Sequence, residues 1–438
     1  MKIAIVGSGP AAVATHQTLM QNNFSGTVEI LDVADTLMPN RKDSNLPRNL
    51  KGFRGSTQMY KHLELLESTR RNNRYLLRSQ SKGGFSVVWG AVTDSAIEKY
   101  GVSTLKIDTV ESHHLSWPKT EILSSKETYC FSQQELFLAV DSKKCISCGE
   151  CLLGCQYDAI WSAKNYWNSL DKINYVDKTQ IAKIEIVNSS KITLVNEQNR
   201  EIGTYDYVFL AAGSLESLRI LMKSNLLSDS ELFQSDLTIL PFISIKKLGK
   251  TKLNLSLASC GFNVEENSNV VAYVQMYTNL TYVKKLITHN IGTLKFVPNI
   301  IWRKMSSHLG VAFIYYDAKL SRTMSASKKG GSLSLNSTDS FFNMKKRKNI
   351  RRAIIKFLRN KRLIPIVSSR KLEPLGRSFH LGALQNLHHL TMGTSGILSQ
   401  RVFCVDGLSL EELETGHITY SIMSNASKIT KHFLKMNP

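Results

Sequence analysis

The stretch Lys2-Ile3-Ala4-Ile5-Val6-Gly7-Ser8-Gly9-Pro10-Ala11-Ala12 decides the fold. Residues 2–6 form a short apolar, β-branched run, and a helix-compatible stretch follows from Ala11 to about Gln21. A second apolar run, Val28 to Val33, comes next. Strand, glycine turn, helix and strand in that order predict the unit that opens a dinucleotide-binding fold. Each small residue of the turn serves the geometry differently. Gly7 permits the tight bend, Gly9 lets the backbone approach a pyrophosphate, and Ala12 allows close packing of helix on strand. The helix N-terminus offers unbonded N–H groups to phosphate oxygens. Asp32, ending the second strand, is placed to accept a ribose hydroxyl.

Two runs of the same type lie far downstream. One is Tyr207-Val208-Phe209-Leu210, closed by Ala211-Ala212-Gly213 ahead of a helical stretch through Leu221; the other is Val402 to Gly407. From 236 to 317 the pattern changes to short alternating runs, Leu237 to Ile245, Asn269 to Tyr277 and Leu309 to Tyr316, which read as antiparallel strands of a separate substrate-type domain. Residues 323–339 are rich in Ser, Gly and Thr and look like a linker or mobile loop.

A chain of 438 residues fits two to three structural units. Its formal charge of +21 calls for an acidic partner: nucleic acid, an anionic membrane, an acidic protein or a phosphorylated substrate. No nucleic-acid fold signature accompanies the charge, so nucleic acid is not expected. Residues 345–362 carry ten Lys or Arg and no acid, with Ile350, Ile354, Phe357 and Leu358 at helical spacing. That is a basic amphipathic helix, either solvated on its own domain or docked on a membrane or acidic partner. No run approaches the roughly 18 apolar residues of a spanning helix. The start of the chain mimics a signal peptide only superficially, because Gly7, Gly9 and Pro10 interrupt its apolar core.

Four of the seven cysteines fall together as Cys145, Cys148, Cys151 and Cys155. A secreted disulfide scaffold would be shorter and more evenly stapled, so the clustering points to metal in a reducing compartment, the cytoplasm. C-x2-C-x2-C-x3-C is the run bacterial ferredoxins use for a 4Fe-4S cluster. Zinc, the other candidate, usually takes two separated pairs. No second run exists to share the fourth cysteine; Cys155 is the nearest fourth ligand, with Cys130, Cys260 and Cys404 as remote alternatives.

The pieces Gly83-Gly84-Phe85-Ser86-Val87-Val88-Trp89-Gly90-Ala91, residues 206–221, Phe379-His380-Leu381-Gly382-Ala383 and residues 402–429 follow in an order that, with the N-terminal turn, resembles the glucose-methanol-choline (GMC) family of FAD-dependent alcohol oxidoreductases. The resemblance covers the flavin-domain segments, about half of the chain. It implies that the first turn binds the ADP part of FAD and that Gly83, Gly84, Ser86, Trp89 and Gly90 lie against the flavin. It further implies that Ala212, Gly213 and Ser217 close the cofactor domain, with Asp406 and Gly407 also at the cofactor. It implies a catalytic pair: His380 as the base that takes the alcohol proton, and His417 holding the oxygen while hydride passes to the flavin. An unperturbed histidine pKa of about 6.5 suits the base. His388 and His389 are read as structural. Where the family often has prolines before the second catalytic position, this chain has Glu411, Glu412 and Glu414.

The expected architecture is α/β: a discontinuous Rossmann-like FAD-binding domain (1–130, 166–235 and 379–438), an antiparallel-sheet substrate domain (236–378) with the basic helix 345–362, and a small ferredoxin-like cluster loop within 136–165. The expected function is an FAD- and 4Fe-4S-dependent dehydrogenase acting on the CH–OH group of a sugar, polyol or lipid-linked alcohol. A dehydrogenase rather than an oxidase is expected because a cluster would be superfluous if oxygen took electrons at the flavin. Electrons would leave through the cluster to an external acceptor, a quinone or an acidic electron-transfer protein. The protein would be cytoplasmic, with peripheral contact to the inner face of the membrane left open. Two other readings compete: a reductase fed through the cluster by a ferredoxin-like donor, and a catalytically silent FAD-binding protein.

Overall fold

The computed structural model describes residues 1–34, 60–62, 76–107, 120–123, 129–149, 151, 155, 157–188, 191–248, 255–278, 298, 308–329, 332–367, 371–373, 375–376, 378–384 and 401–437. Five strands drawn from distant parts of the chain form a parallel sheet, in the order Asn174–Val176, Thr27–Leu31, Lys2–Val6, Tyr207–Leu210 and Val402–Cys404. Side chains of the central strand alternate between two cores: Ile3 and Ile5 enter one, Ala4 and Val6 the other. A strand buried on both faces needs apolar residues at every position, which is why residues 2–6 read as a continuous run rather than an alternation.

The first strand passes through the glycine turn into the helix Pro10–Gln21. Proline suits the first helical turn because its missing N–H would have no partner there. The helix packs against the last helix, Thr419–Met436, where Thr18 Oγ1 donates to Ser427 Oγ at 2.9 Å.

A second, larger sheet is antiparallel. Its order is Leu363–Pro365, Leu237–Ser244, Leu309–Tyr316, Asn269–Tyr277, Cys260–Glu266, Tyr129–Gln134 and Thr120–Leu123, with Lys371–Leu372 also paired to Leu237–Ser244. Along Leu309–Tyr316, Leu309, Val311, Phe313 and Tyr315 enter the core shared with the parallel-sheet domain. Ala312, Ile314 and Tyr316 enter the opposite core, beneath the helix Phe341–Asn360. One face of this sheet therefore looks toward the glycine turns and the other is covered by the basic helix. The strand Tyr129–Gln134 pairs with Cys260–Glu266 in this sheet.

The Ser-, Gly- and Thr-rich stretch 323–339 corrects an expectation. It holds the strands Thr323–Lys329 and Ser332–Thr338, paired antiparallel. Met324, Ala326, Leu333 and Leu335 recur at period two and are buried, so small polar residues alternate with core contacts instead of marking a linker. His388 and His389 lie outside the described residues. No helix among the described residues is long and apolar enough to cross a membrane.

His16 sits where the first helix meets the helix Ala163–Asn168, its Nδ1 2.8 Å from the Tyr166 hydroxyl and its ring edge-on to Trp167. Burial lowers its pKa to about 4. The unfolded chain takes up that proton near the ordinary value of about 6.5, so the folded state loses stability as pH falls through 6.5 toward 4. This group should cost roughly 2 kcal/mol of stability between pH 7 and pH 5. Denaturant titrations at the two pH values check it: His16→Gln should remove about that much of the pH dependence, and an unchanged dependence would contradict the assignment.

Candidate active site

The N-terminal turn is held by its own strand sheet and by one serine. Gly7 has φ 102, a backbone that side chains rarely adopt, and a Cβ there would meet Ala211 O at 2.4 Å. Its N–H donates to Leu31 O at 2.8 Å. Ser8 is buried and fully used: its hydroxyl donates to Asp32 at 2.5 Å and accepts the Gly83 N–H at 2.8 Å, while its carbonyl accepts the Trp167 indole N–H at 2.7 Å. Asp32 also accepts from the Tyr175 hydroxyl at 2.5 Å. Burial raises the Asp32 pKa, and the Ser8 and Tyr175 hydrogen bonds oppose that rise.

The second glycine turn follows from the same anchor. Gly83 and Gly84 both have positive φ and lead into the short 3-10 helix Gly84–Val87. Ser86 Oγ donates to Gly83 O at 2.6 Å and accepts the Ala163 N–H at 2.9 Å, fixing the turn on the helix Ala163–Asn168. Trp89 Nε1 donates to Trp161 O at 2.9 Å. On the far side, Ser217 from the helix Ser214–Lys223 hydrogen-bonds Asp406, whose other oxygen accepts the Leu408 N–H at 3.1 Å.

The two histidines arrive from different segments but meet one ladder of the antiparallel sheet. His380 stacks on Tyr315, with centroids 4.8 Å apart and planes at 17°. His417 stands edge-on to Tyr273 at 5.3 Å. Tyr273 and Tyr315 are directly opposed cross-strand partners, so the rings that carry the two imidazoles are adjacent. Phe379, just before His380, has φ 60 and packs on Phe85 at 5.1 Å; a bulky residue in that region is strained and fixes how the chain delivers His380. The His417 pKa is lowered by burial, with Asp94 and Glu414 opposing, so this imidazole is neutral at neutral pH. Its Nδ1 is buried with no hydrogen-bond partner among the described residues.

Gly7, Gly9, Asp32, Gly84, Ser86, Trp89, Gly90, Ala212, Gly213, Asp406, Gly407, His380 and His417 all line one cleft of about 320 Å3. Ala12 and Gly83 stand behind it, Ala12 fully buried on the inner face of the helix Pro10–Gln21 and Gly83 spent on Ser8. A Cβ at Gly9 or Gly213 would meet nothing within 4 Å, so the backbone there faces open space that an extended ligand could approach. Open glycine backbone, a buried acid and an orphaned imidazole nitrogen together fit a dinucleotide cofactor. Sequence reasoning missed Ser8, Tyr273, Tyr315 and Gln275. Ser8 lay inside the quoted turn and its polarity was the available signal; the other three follow only from strand register.

The cysteine run has no support as an iron site among the described residues. Cys148 is exposed and Cys151 buried, with Cys145 and Cys155 intermediate, and all four are free. Burial raises the Cys151 thiol, and Cys148 and Cys145 add to that rise, so these three are neighbours. Yet among the described residues no three His, Cys, Asp or Glu side chains gather as a metal-holding group. Cys151 packs into the core while Cys148 faces solvent. Cys130, Cys260 and Cys404 belong to strands of the two large sheets rather than to this loop.

No family model and no curated protein sequence matches the chain. Solved structures do. Pyridoxine 4-oxidase from Mesorbium loti aligns over 99% of both chains with a TM-score of 0.60 and 11% identity. Formate oxidase of Aspergillus oryzae RIB40, solved with a substitution that bears on its FAD modification, aligns over 99% of this chain and 98% of its own, with a TM-score of 0.62 and 9% identity. Both neighbours are named oxidases, which overturns the expectation of a dehydrogenase rather than an oxidase. That expectation had rested on the cysteine run as an exit for electrons. At this identity the likeness carries architecture alone: the chain has the fold of these oxidases, a Rossmann-like α/β domain joined to an antiparallel substrate sheet.

Proposed function

We propose that the cleft holds FAD and that the protein is a flavin-dependent oxidase acting on the CH–OH group of a small or lipid-linked molecule. The observation that carries this reading is convergence: segments around residues 7, 32, 84–90, 212, 380, 406 and 417 meet at a single cleft with two imidazoles at its substrate-sheet wall. The Gly7–Gly9 turn and the start of the helix Pro10–Gln21 would receive the pyrophosphate, and Asp32 would accept a ribose hydroxyl. FAD held there would supply the acceptor for hydride and pass the electrons on to dioxygen.

The chain's own groups do the rest. His380, held flat on Tyr315, takes the hydroxyl proton. His417, kept neutral by burial, holds the substrate oxygen. Leu237, Ile239 and Phe313 make the adjoining wall apolar, and Gln275 adds an amide whose Oε1 accepts from the Tyr277 hydroxyl at 2.8 Å. A mostly apolar wall with one oriented amide favours a substrate with a hydrocarbon or ring face over a fully hydrated polyol. The free, clustered cysteines favour a reducing compartment.

Anaerobic stopped-flow reduction of the flavin by a panel of alcohols tests the pair. His380→Ala should slow substrate-dependent reduction by about a hundredfold or more while FAD stays bound; normal reduction in that variant would sink the assignment. Ser8→Ala should weaken retention of FAD about tenfold by releasing the Gly83 turn and Asp32, read by flavin fluorescence on dilution; unchanged retention would deny Ser8 that role.

The iron–sulfur component rests on the spacing of Cys145, Cys148, Cys151 and Cys155 alone, and no step of the reaction passes through it. The thiols must move together before they share iron. Iron and sulfide quantification after anaerobic purification should find about four irons per chain if they do so, and a protein with flavin but no acid-labile sulfide removes the cluster.

A further inference from the structure

The helix Phe341–Asn360 carries eight of the ten cations of residues 345–362 and divides them between its faces. On its inner face Ile350, Ile354, Phe357 and Leu358 are buried against the antiparallel sheet, and Phe357 stacks on Phe131 at 4.2 Å. Two cations serve the same packing: Arg347 is buried, 2.5 Å from Asp339 and 3.7 Å from Asp236, and Lys346 pairs with Glu266.

The outer face is built differently. Phe341, Lys345, Lys348, Arg352, Lys356 and Arg359 are all exposed and are spaced by three or four residues, so they lie along one stripe of the helix. The stripe runs about 27 Å. Its N-terminal end is apolar: Phe341 is 77% exposed, its neighbour Phe342 69% and Met344 47%. A helix merely solvated on its own domain has no physical use for two adjacent phenylalanines in water. The segment holds no acid to neutralise the stripe from within.

We infer that this face docks on an anionic lipid surface, with the helix lying in the plane of the membrane, the cations on headgroups and Phe341 and Phe342 entering the acyl boundary. Charge alone would also suit an acidic protein or another polyanion, but only a lipid surface gives the exposed phenylalanines an apolar medium beside the headgroups. The inference is independent of the chemistry proposed for the cleft.

Sedimentation of the full-length protein with vesicles tests it. The protein should bind vesicles of phosphatidylcholine mixed with phosphatidylglycerol, bind pure phosphatidylcholine poorly, and release as salt is raised. Lys345→Gln, Lys348→Gln and Arg352→Gln together should weaken binding about a hundredfold, at about fivefold per cation. Phe341→Ser with Phe342→Ser should weaken it about tenfold while leaving the salt dependence intact. All these side chains are exposed, and circular dichroism should show both variants folded. Failure to bind the anionic vesicles at low ionic strength would overturn the inference. So would wild-type affinity in either variant, or binding to heparin without binding to vesicles.

Discussion

One hydroxyl, that of Ser8, holds the site together. It donates to Asp32 and accepts the Gly83 N–H, while the carbonyl of the same residue takes the Trp167 indole. Four stretches that the sequence keeps far apart are thereby fixed around one buried residue. Each of these polar groups is out of water, so losing its partner costs about 1–3 kcal/mol, against roughly 1 kcal/mol for an ordinary exposed bond. The turn that faces the cleft is consequently rigid on three sides and open on the fourth, where Gly9 meets no atom within 4 Å. Ser86 and Trp89 extend the same logic outward, tying the second glycine turn to residues 161–163.

The antiparallel sheet supplies the other half of the site by a simple geometric device. Side chains alternate along a strand, so Tyr273 and Tyr315 lie on the cleft side of the sheet, where Tyr315 lines the cleft itself, while their neighbours Val274 and Ile314 enter the core under the basic helix. Because the two tyrosines are opposed in register, imidazoles from segments 37 residues apart, at 380 and 417, are brought to adjacent rings. The basic helix closes the rear of the same sheet and turns its charged stripe to solvent. The proposed chemistry and the proposed docking face thus share one sheet, on opposite faces.

Much of this was legible in the sequence, for identifiable reasons. The strand Lys2–Val6, the turn and the helix Pro10–Gln21 were readable because burial on both faces and tight phosphate-type turns leave few residue choices. The strands Asn269–Tyr277 and Leu309–Tyr316 matched their apolar runs. The hairpin at 323–338 was missed because serine and threonine serve loops and strands alike, and only the spacing of Met324, Ala326, Leu333 and Leu335 separates the two. The tyrosine pair was out of reach because register between strands is not written in local pattern. The cysteine spacing is plain in the sequence, but spacing fixes which thiols can share a metal, not whether the loop brings them together.

The central claim is that the cleft is a flavin site whose turns are shaped for the ADP half of FAD. Titration of flavin-depleted protein with FAD, and separately with FMN, followed by flavin fluorescence, tests it most directly. The account predicts one FAD bound per chain with its fluorescence changed, and FMN bound far more weakly because it lacks the half that the Gly7–Gly9 turn and Asp32 receive. Equal binding of the two, or no uptake of either, would contradict it.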